Sequence, residues 1–301
     1  MALKANRIFL LVLKLTISSA LLYIILSRTG PERVFSILKD MSLSAFVSAV
    51  LLSLFAQFIS TLRWKLLLPG KLGIRKLFSL YMIGSFFNIM LPSLIGGDAV
   101  KAFYLYKTSG RGSLTLASIF MDRYLGFVML IVICAIAFPF GYSYFQNSPI
   151  TWVLPLTVLV FIISSLLFFS LRLGKGIKIL SEIYDYFYSY WNQKGIIVMA
   201  LLISVLVQLL NIFAVYILAL GLGEHVPLLA CLIFLPLIVM FTALPISISG
   251  IGIREVAFVF FFSLISIRPD VATALSLSWF LSTTAGSLLG LVEYIRYRKE
   301  K

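Results

Sequence analysis

The sequence predicts an all-α integral membrane protein, folded as a polytopic helical bundle of two repeats with inverted topology. The first observation behind this prediction is composition: 61% of the residues are hydrophobic and 12% are charged, and the mean hydropathy is +1.07. These values exclude an ordinary soluble domain. The second observation is an apolar segment interrupted by Leu-Pro that occurs in each half of the chain. We therefore expect about six full spans and two broken re-entrant hairpins in a single transmembrane domain, 1–301.

The full spans are predicted from apolar stretches long enough to cross ~30 Å of hydrocarbon as a helix. The first stretch follows the basic residues Lys4 and Arg7, as the apolar region of a signal peptide follows its basic region. However, the stretch ends at Arg28 without a small-residue cleavage site. We therefore predict that this helix is retained. The six predicted spans are 8–26, 43–62, 114–140, 150–171, 196–220 and 271–292.

The interrupted segment consists of an apolar run broken at Leu-Pro, a small-residue turn and a basic residue about one helical turn later. Its two copies lie 153 positions apart and align without a gap. Paired segments of this kind at corresponding places in two halves point to the central site of a transporter. The matched pairs are Leu91 and Leu244, Pro92 and Pro245, Ile95 and Ile248, Gly97 and Gly250, and Lys101 and Arg254.

These matches define the predicted repeats. Repeat 1 covers 1–146 with a re-entrant hairpin at 77–107, and repeat 2 covers 147–301 with a re-entrant hairpin at 228–266. A weaker match, in which residues 53–57 recur as 204–208 with Ser and Gln at the same ends, occurs in the same order along the chain.

The charge distribution predicts the orientation in the membrane. The formal net charge is +14, and the basic residues lie in short loops and at helix ends. With the N-terminus inside, 20 of the 25 Lys and Arg residues fall on the cytoplasmic side, as the positive-inside rule requires. Topology therefore explains the charge, and no nucleic-acid partner is expected. We predict a multi-pass protein of the cell inner (cytoplasmic) membrane with both termini in the cytoplasm.

Residues 177–194 form the longest polar connector. Tyr184, Phe187 and Tyr188 recur at helical spacing, opposite Glu182 and Asp185. An amphipathic helix of this kind is typical of the membrane interface, and we predict an interfacial helix here.

The two backbone breaks predict a polar centre, because unpaired amides and carbonyls survive at membrane depth only beside protein or a polar cavity. Helices restart near Gly97 and Gly250, and amides at a helix start bind anions. Lys101 and Arg254 would add full positive charges there. Asn88 is expected to satisfy backbone groups that the first break leaves unpaired.

Other ionisable groups near or inside the apolar runs are functional candidates by default, because charge within a membrane is costly. For Asp122 and Arg123, an end-of-helix pair at the interface is the open alternative. Arg63 and Trp64 close the second predicted span and are candidates for head-group contact, with simple anchoring as the alternative. The candidate substrate-binding residues are Lys101, Arg254, Arg123, Asp98, Asp122, Glu255, Asn88, Gly97 and Gly250, and the structural breaks are Pro92 and Pro245.

Signals for catalysis, metals and cofactors are missing from the sequence. It contains no phosphate-binding loop, and the stretch beginning at Gly250 lacks the third glycine of a dinucleotide fingerprint. The one histidine, His225, falls in a predicted external loop, and Cys134 and Cys231 lie singly in different apolar segments. We expect no cofactor, no metal and no enzymatic activity.

Four groups of residues resemble the flippase-like transmembrane region of the lysylphosphatidylglycerol synthase family, in stand-alone form without the synthase domain. They follow the family's order over nearly the whole chain. The family often has arginine where this chain has Lys101, and lysine keeps the charge but loses the bidentate fork. The matching elements are Arg63-Trp64; Asn88-x-x-Leu91-Pro92 with Gly96-Gly97-Asp98-x-x-Lys101; Asp122-Arg123-x-x-Gly126; and Pro245 with Gly250-x-Gly252-x-x-Glu255.

The resemblance implies a lipid flippase or translocase that moves an anionic or aminoacylated phospholipid, or a related lipid-phosphate, between leaflets through a central polar cavity. The phosphate would lie against Lys101, Arg123 and Arg254, while the carboxylates engage a cationic head group. Membrane phospholipids are the expected partners; a homo-oligomer and a separate lipid-modifying enzyme are left open. The alternatives are a transporter of a soluble anion or ion-coupled solute and, less favoured, a membrane-embedded lipid-modifying transferase.

Overall fold

The fold is entirely helical over the residues that the computed structural model describes, and no strand occurs among them. The described residues are 2–68, 70, 72–91, 96–110, 112–146, 149–172, 176, 178–191, 193–243 and 247–299. The predicted class, a polytopic helical membrane protein, is confirmed. The helices are α1 Ala2–Thr29, α2 Pro31–Lys39, α3 Leu43–Leu67, α4 Ile74–Met90, α5 Gly96–Ser109, α6 Gly112–Ala137 with a 3₁₀ continuation Phe138–Phe145, a 3₁₀ turn Pro149–Trp152, α7 Val153–Ser170, α8 Lys178–Trp191, α9 Lys194–Gly221, α10 Leu228–Thr242, α11 Ile253–Ser263, α12 Pro269–Ser287 and α13 Leu289–Lys299.

Among the residues that the structure describes, five helical stretches are long and apolar enough to cross a membrane: Val12–Thr29, Leu43–Leu67, Leu114–Phe145, Lys194–Gly221 and Pro269–Lys299. They coincide with five of the six predicted spans. The remaining prediction, 150–171, corresponds to α7, which is 18 residues long and belongs with the shorter apolar helices. Continuous helix suits these segments because it satisfies backbone polar groups within the segment itself.

The two broken segments form helical hairpins, α4–α5 and α10–α11. Their arms contain 17, 14, 15 and 11 residues, so they rise about 16 to 26 Å and fall short of the ~20 residues of a full span. Two pairs of packed helices therefore occupy the ranges 77–107 and 228–266, and their predicted course as re-entrant hairpins stays a prediction. The breaks at Pro92 and Pro245 lie outside the described residues.

Glycine permits the tight geometry of both hairpins. In the first, a Cβ on Gly97 would collide with the Gly84 carbonyl oxygen, so α4 and α5 meet backbone to backbone. In the second, Gly250 and Gly252 have φ of 78° and 86°, values that favour glycine. Gly252 precedes α11, and the Glu255 carboxylate accepts its backbone N–H at 2.7 Å, which caps the restarted helix.

Several helix contacts of the two halves correspond to one another. In chain order, α1 to α6 match α7 to α12, and α3 packs along α9. Under this matching the contact of α3 with α12 corresponds to that of α9 with α6, and the contact of α2 with α12 corresponds to that of α8 with α6. This is the contact pattern that two halves related by a pseudo-two-fold axis would have. The inverted orientation of the halves in a membrane stays a prediction.

The helix predicted as interfacial over 177–194 is α8. Its buried face packs on α6 and α9, and the Tyr190 hydroxyl donates to the Leu67 carbonyl at 3.0 Å. Ile183, Tyr184 and Tyr186 are also buried. The aromatic face of α8 therefore contacts the bundle, and its position at a membrane interface stays a prediction.

Two glycines one turn apart provide a test of the packing between α13 and α4. A Cβ on Gly290 would collide with the Met82 carbonyl oxygen, whereas a Cβ on Gly286 would lie at an ordinary 3.4 Å from Leu54. Replacing either glycine by alanine raises the intrinsic helix propensity by the same amount. We expect Gly290→Ala to lower the free energy of unfolding by about 1–3 kcal/mol through overpacking and Gly286→Ala to leave it unchanged or raise it.

The measurement is the midpoint of thermal unfolding of both variants in detergent micelles. Equal midpoints for the two variants would contradict the close contact at Gly290.

Candidate functional site

A cavity of about 380 Å³ lies between helices of both halves. This volume is within the range of small-molecule sites. Residues of α3, α4, α6, α9, α10 and α12 line the cavity, and the charged side chains among them are Arg63 and Arg123. The uncharged polar residues of the lining are Ser53, Gln57, Ser60, Tyr81, Ser85, Asn88, Gln208, Asn211, Thr283 and Ser287.

Arg63 is held in place by two other helices. Its Nε donates to Asp122 Oδ1 on α6 at 2.8 Å, and its Nη1 donates to Ser204 Oγ on α9 at 2.8 Å. A Cβ on Gly126 would come within 3.2 Å of the guanidinium, so glycine at this position leaves room for it. Arg63 is 4% exposed, and the two bonds fix its orientation towards the cavity.

Lys101 also contacts the Asp122 carboxylate, but from inside an aromatic enclosure. Its Nζ lies 3.9 Å from Asp122 Oδ2 and 3.8 Å and 4.2 Å from the ring centroids of Trp64 and Tyr81. Cation–π contacts of this kind stabilise a desolvated ammonium. The Trp64 indole is itself held, since its Nε1 donates to Ser118 Oγ at 3.2 Å. Lys101 does not line the cavity.

Arg123 and Asp98 form a bidentate pair that joins α6 to the first hairpin. Arg123 Nε and Nη2 donate to the two Asp98 carboxylate oxygens at 2.9 and 3.2 Å. The Arg123 side chain is 49% exposed, and it lines the cavity. The fork geometry fixes the guanidinium plane.

The charges around the cavity do not cancel. Arg63, Lys101 and Arg123 carry three positive charges against the two carboxylates of Asp98 and Asp122, which leaves +1. Both carboxylates are already paired, and no acidic residue lines the cavity in the described part of the chain. At an effective dielectric constant near 20, two unit charges 4 Å apart interact with an energy of about 4 kcal/mol. The cavity therefore favours an anion.

The two hairpins meet at the edge of this cavity. Asn88 Oδ1 accepts the Gly97 N–H at 2.9 Å, which satisfies backbone beyond the first break as the sequence predicted. The Asn88 carbonyl accepts a hydrogen bond from Ser249 Oγ of the second hairpin turn at 3.4 Å. The neighbouring Ile248 N–H donates to Ser18 Oγ of α1 at 3.0 Å.

A second charged cluster at the start of α11 is electrically neutral. Arg254 Nε and Nη2 donate to Glu255 Oε1 at 3.0 and 2.6 Å, and Ser276 Oγ donates to the same oxygen at 3.0 Å. The Arg254 guanidinium lies over the Phe280 ring at 4.6 Å. Glu255 is fully buried and, with the Gly252 N–H on Oε2, both of its oxygens are bonded. This cluster fastens α11 to α12.

The structure thus separates the predicted anion ligands. Lys101 and Arg254 do not line the cavity, because each is enclosed with an internal carboxylate. Gly97 and Gly250 are also absent from its lining, whereas Arg123 and Asn88 belong to it. Asp98 and Asp122 hold the cavity cations, and Glu255 belongs to the second cluster.

Of the two residues predicted to contact a head group, Trp64 is fully buried and Arg63 lines the cavity, and head-group contact itself stays a prediction. Both residues lie inside the bundle and not at its edge, because α3 continues to Leu67. Asp122 and Arg123 are likewise not an end-of-helix pair: they lie within α6 and bind different partners.

Polar residues of α3 and α9 also line the cavity, and the sequence analysis did not select them as site candidates. Ser53, Gln57 and Ser60 recur every three or four residues and so share a helix face that continues to Arg63. That spacing is the signal that could have identified them. On α9, Gln208 lies at the position matching Gln57 and also lines the cavity.

The shared carboxylate of Asp122 leads to a stability prediction. Asp122→Asn leaves Arg63 and Lys101 buried without a counter-charge, and we expect it to cost about 3–5 kcal/mol. Lys101→Met conserves volume inside the aromatic enclosure and leaves the Arg63 pair intact, so its cost should stay below about 1.5 kcal/mol. Thermal unfolding midpoints in detergent would be compared, and a greater loss for Lys101→Met would contradict the central role of Asp122.

Comparison with known proteins places this architecture in a family. The family model described as "Lysylphosphatidylglycerol synthase TM region" matches residues 11–290. The chain is 24% identical to UPF0104 membrane protein MJ1595 of Methanocaldococcus jannaschii, over 92% of this chain and 93% of the relative. It is 23% identical to UPF0104 membrane protein PH1989 of Pyrococcus horikoshii, over 95% and 97%. No solved structure matches. Because the family match covers most of the chain, this protein belongs to the lysylphosphatidylglycerol synthase transmembrane-region family.

Proposed function

We propose that this membrane protein moves an anionic phospholipid, or a related lipid-phosphate, between the two leaflets. The observation that carries the proposal is the cavity with two guanidinium groups, an excess charge of +1 nearby and no carboxylate in its described lining. A phosphodiester carries one negative charge, so it balances this excess. Family membership supports a membrane component that handles lipids.

The hydrogen bonds of the two arginines leave donors for a phosphate. Arg63 uses Nε and Nη1 for Asp122 and Ser204, so Nη2 has no bond to described residues. Arg123 uses Nε and Nη2 for Asp98, and its Nη1 makes no hydrogen bond to the described part of the chain. Charge-assisted bonds from guanidinium to phosphate are among the strong hydrogen bonds of proteins. A head group could therefore bind without displacing the carboxylates that hold the arginines.

The cavity also provides polar contacts, which a lipid head group would lack if it crossed the hydrocarbon of the bilayer. An ionised group transferred to an apolar medium loses its hydration at a large free-energy cost. The polar residues of α3 and α9 replace part of that hydration, while the acyl chains stay in the bilayer. Rocking of one half against the other would open the cavity to each leaflet in turn, as in transporters built from inverted repeats.

The test is lipid exchange by the purified full chain in liposomes that contain a fluorescent anionic phospholipid. We expect Arg123→Gln to slow exchange about tenfold or more, because a charge-assisted bond contributes about 1.5–3 kcal/mol. Arg123→Lys, which keeps the charge but not the fork, should give an intermediate rate. Loss of labelled lipid from the outer leaflet, measured by chemical quenching with and without an imposed membrane potential, reports the rates.

The matched control is Arg296→Gln, which removes an exposed arginine from its pair with Glu293 outside the cavity. It should leave exchange unchanged, and size-exclusion profiles confirm that each variant is folded. Exchange that is insensitive to Arg123→Gln, or its absence in the folded wild type, overturns the proposal. Uptake of radiolabelled phosphate without lipid exchange would establish a carrier of soluble anions instead.

A further inference from the structure

Lys101 carries the excess positive charge beside the cavity. The Arg63 guanidinium and the Asp122 carboxylate form one hydrogen-bonded pair at 2.8 Å. Arg123 and Asp98 form a second pair, with hydrogen bonds of 2.9 and 3.2 Å. Each of these pairs is electrically neutral. Lys101 Nζ lies 3.9 Å from Asp122 Oδ2, which is longer than a hydrogen bond. Its ammonium is therefore the fifth charge of the group and belongs to neither pair.

The surroundings of Lys101 replace water with aromatic rings and backbone. Lys101 is 3% exposed, and its Nζ lies 3.8 and 4.2 Å from the ring centroids of Trp64 and Tyr81. A Cβ on Gly84 of α4 would come within 3.2 Å of the Lys101 Cβ, so the stem of the side chain runs close to the α4 backbone. The charged and titratable groups that face Lys101 are Asp122 and Arg123 of α6, Arg63 of α3, Tyr81 of α4 and Asp98 of its own helix.

Lys101 can change its charge without breaking an ion pair. A guanidinium keeps its proton in proteins, so the charges of Arg63 and Arg123 are fixed. Protonation of Asp98 or Asp122 would remove a carboxylate that accepts hydrogen bonds from an arginine. When the Lys101 ammonium releases a proton, both neutral pairs remain complete. The group of five therefore has two accessible charge states, +1 and zero, and Lys101 decides between them.

The charge of Lys101 acts on the cavity across a single layer of side chains. Tyr81 lies against Lys101 Nζ and also lines the cavity. Asp122 connects Lys101 to Arg63, which lines the cavity as well. An anion in the cavity would stabilise a charged Lys101 through this low-dielectric layer. By linkage, a protonated Lys101 would strengthen the binding of the anion by the same factor.

The repeat-matched residue of the second half differs in both respects. Arg254 holds its proton permanently, and its Nε and Nη2 donate to Glu255 Oε1 at 3.0 and 2.6 Å. The second half thus contains a fixed charge inside a neutral pair, whereas the first half contains an exchangeable charge outside one. This contrast marks Lys101 as the position where a proton can be bound and released.

We propose that Lys101 is a proton-binding site that couples the movement of an anionic head group to the movement of one proton. Lys101 takes a proton from water when the anion enters the cavity and returns it to water on the side where the anion leaves. One proton balances the single charge of a phosphodiester, so the transported pair is electrically neutral. The inference rests on the proposed lipid transport and deepens it, because it assigns the coupling ion to a named residue.

The test imposes a pH gradient on liposomes that contain the full chain and the labelled anionic phospholipid. For one proton per lipid, we expect a gradient of about one pH unit to enrich the label up to about tenfold in the leaflet on the alkaline side. A membrane potential without a pH gradient should leave the distribution unchanged. Chemical quenching of the outer leaflet reports the distribution, and protein-free liposomes give the background.

Two substitutions at Lys101 separate the proton from the anion. Lys101→Arg fixes the charge and Lys101→Met removes it, and neither touches the pair of Arg63 with Asp122. The lipid would then cross without a proton, so its distribution should follow a membrane potential and ignore a pH gradient. At equal pH on both sides, wild-type exchange should slow as the pH rises, because Lys101 loses its proton and the cavity loses its excess charge. The rate of Lys101→Arg should stay constant over the same range.

The matched control is Lys107→Met, which removes an exposed lysine from the same helix. It should keep the wild-type response to both the pH gradient and the potential. If Lys101→Arg does not fold, Lys101→Met carries the comparison, because it conserves volume inside the aromatic enclosure.

Wild-type exchange that ignores the pH gradient, or Lys101 variants that respond to it as Lys107→Met does, would overturn the proton coupling and leave lipid transport standing. Absence of lipid exchange by the folded wild type under every condition would refute the proposed function and, with it, the coupling.

Discussion

The site depends on the ion pairs that the Asp122 carboxylate forms with Arg63 and Lys101. This carboxylate lies inside the bundle at 1% exposure and faces Arg63 at 2.8 Å and Lys101 at 3.9 Å. Through these contacts and the bond from Arg63 to Ser204, helices α3, α5, α6 and α9 converge on one charge. Separation of these helices would leave buried charges without partners, which is strongly destabilising. The contacts of Asp122 therefore hold the four helices together and keep the Arg63 guanidinium at the cavity.

The two halves share an order of helices but not a distribution of charge. The first half supplies Arg63 and Arg123 to the cavity, and the second half supplies uncharged groups such as Gln208 and Thr283. The second half has its own buried pair, Arg254 with Glu255, but that pair is neutral and closed on itself. The cavity is therefore asymmetric, with its charged groups concentrated in the first half.

Much of the fold could be predicted because its signals are local. Hydropathy located the five long apolar helices, and the repeated Leu-Pro interruption pointed to the segments in which the helix pairs α4–α5 and α10–α11 lie. Asn88 was expected to satisfy backbone beyond the first break, since it lies one turn before it, and it accepts the Gly97 N–H. Hairpin and span predictions need only the residues of the segment itself, because hydrocarbon imposes helical hydrogen bonding on each segment separately.

The amino-acid sequence alone was enough to predict the polytopic helical class, five of the long apolar helices and the family of this protein. The tertiary structure was needed to show which cations line the cavity, namely Arg63 and Arg123 and not Lys101. Lys101 does not line the cavity, because Trp64, Tyr81 and Asp122 enclose it although they are distant in sequence. Arg63 does line the cavity. The physical reason is that the position of a charge in a low-dielectric interior depends on its partners, and those partners are brought together only by packing between helices.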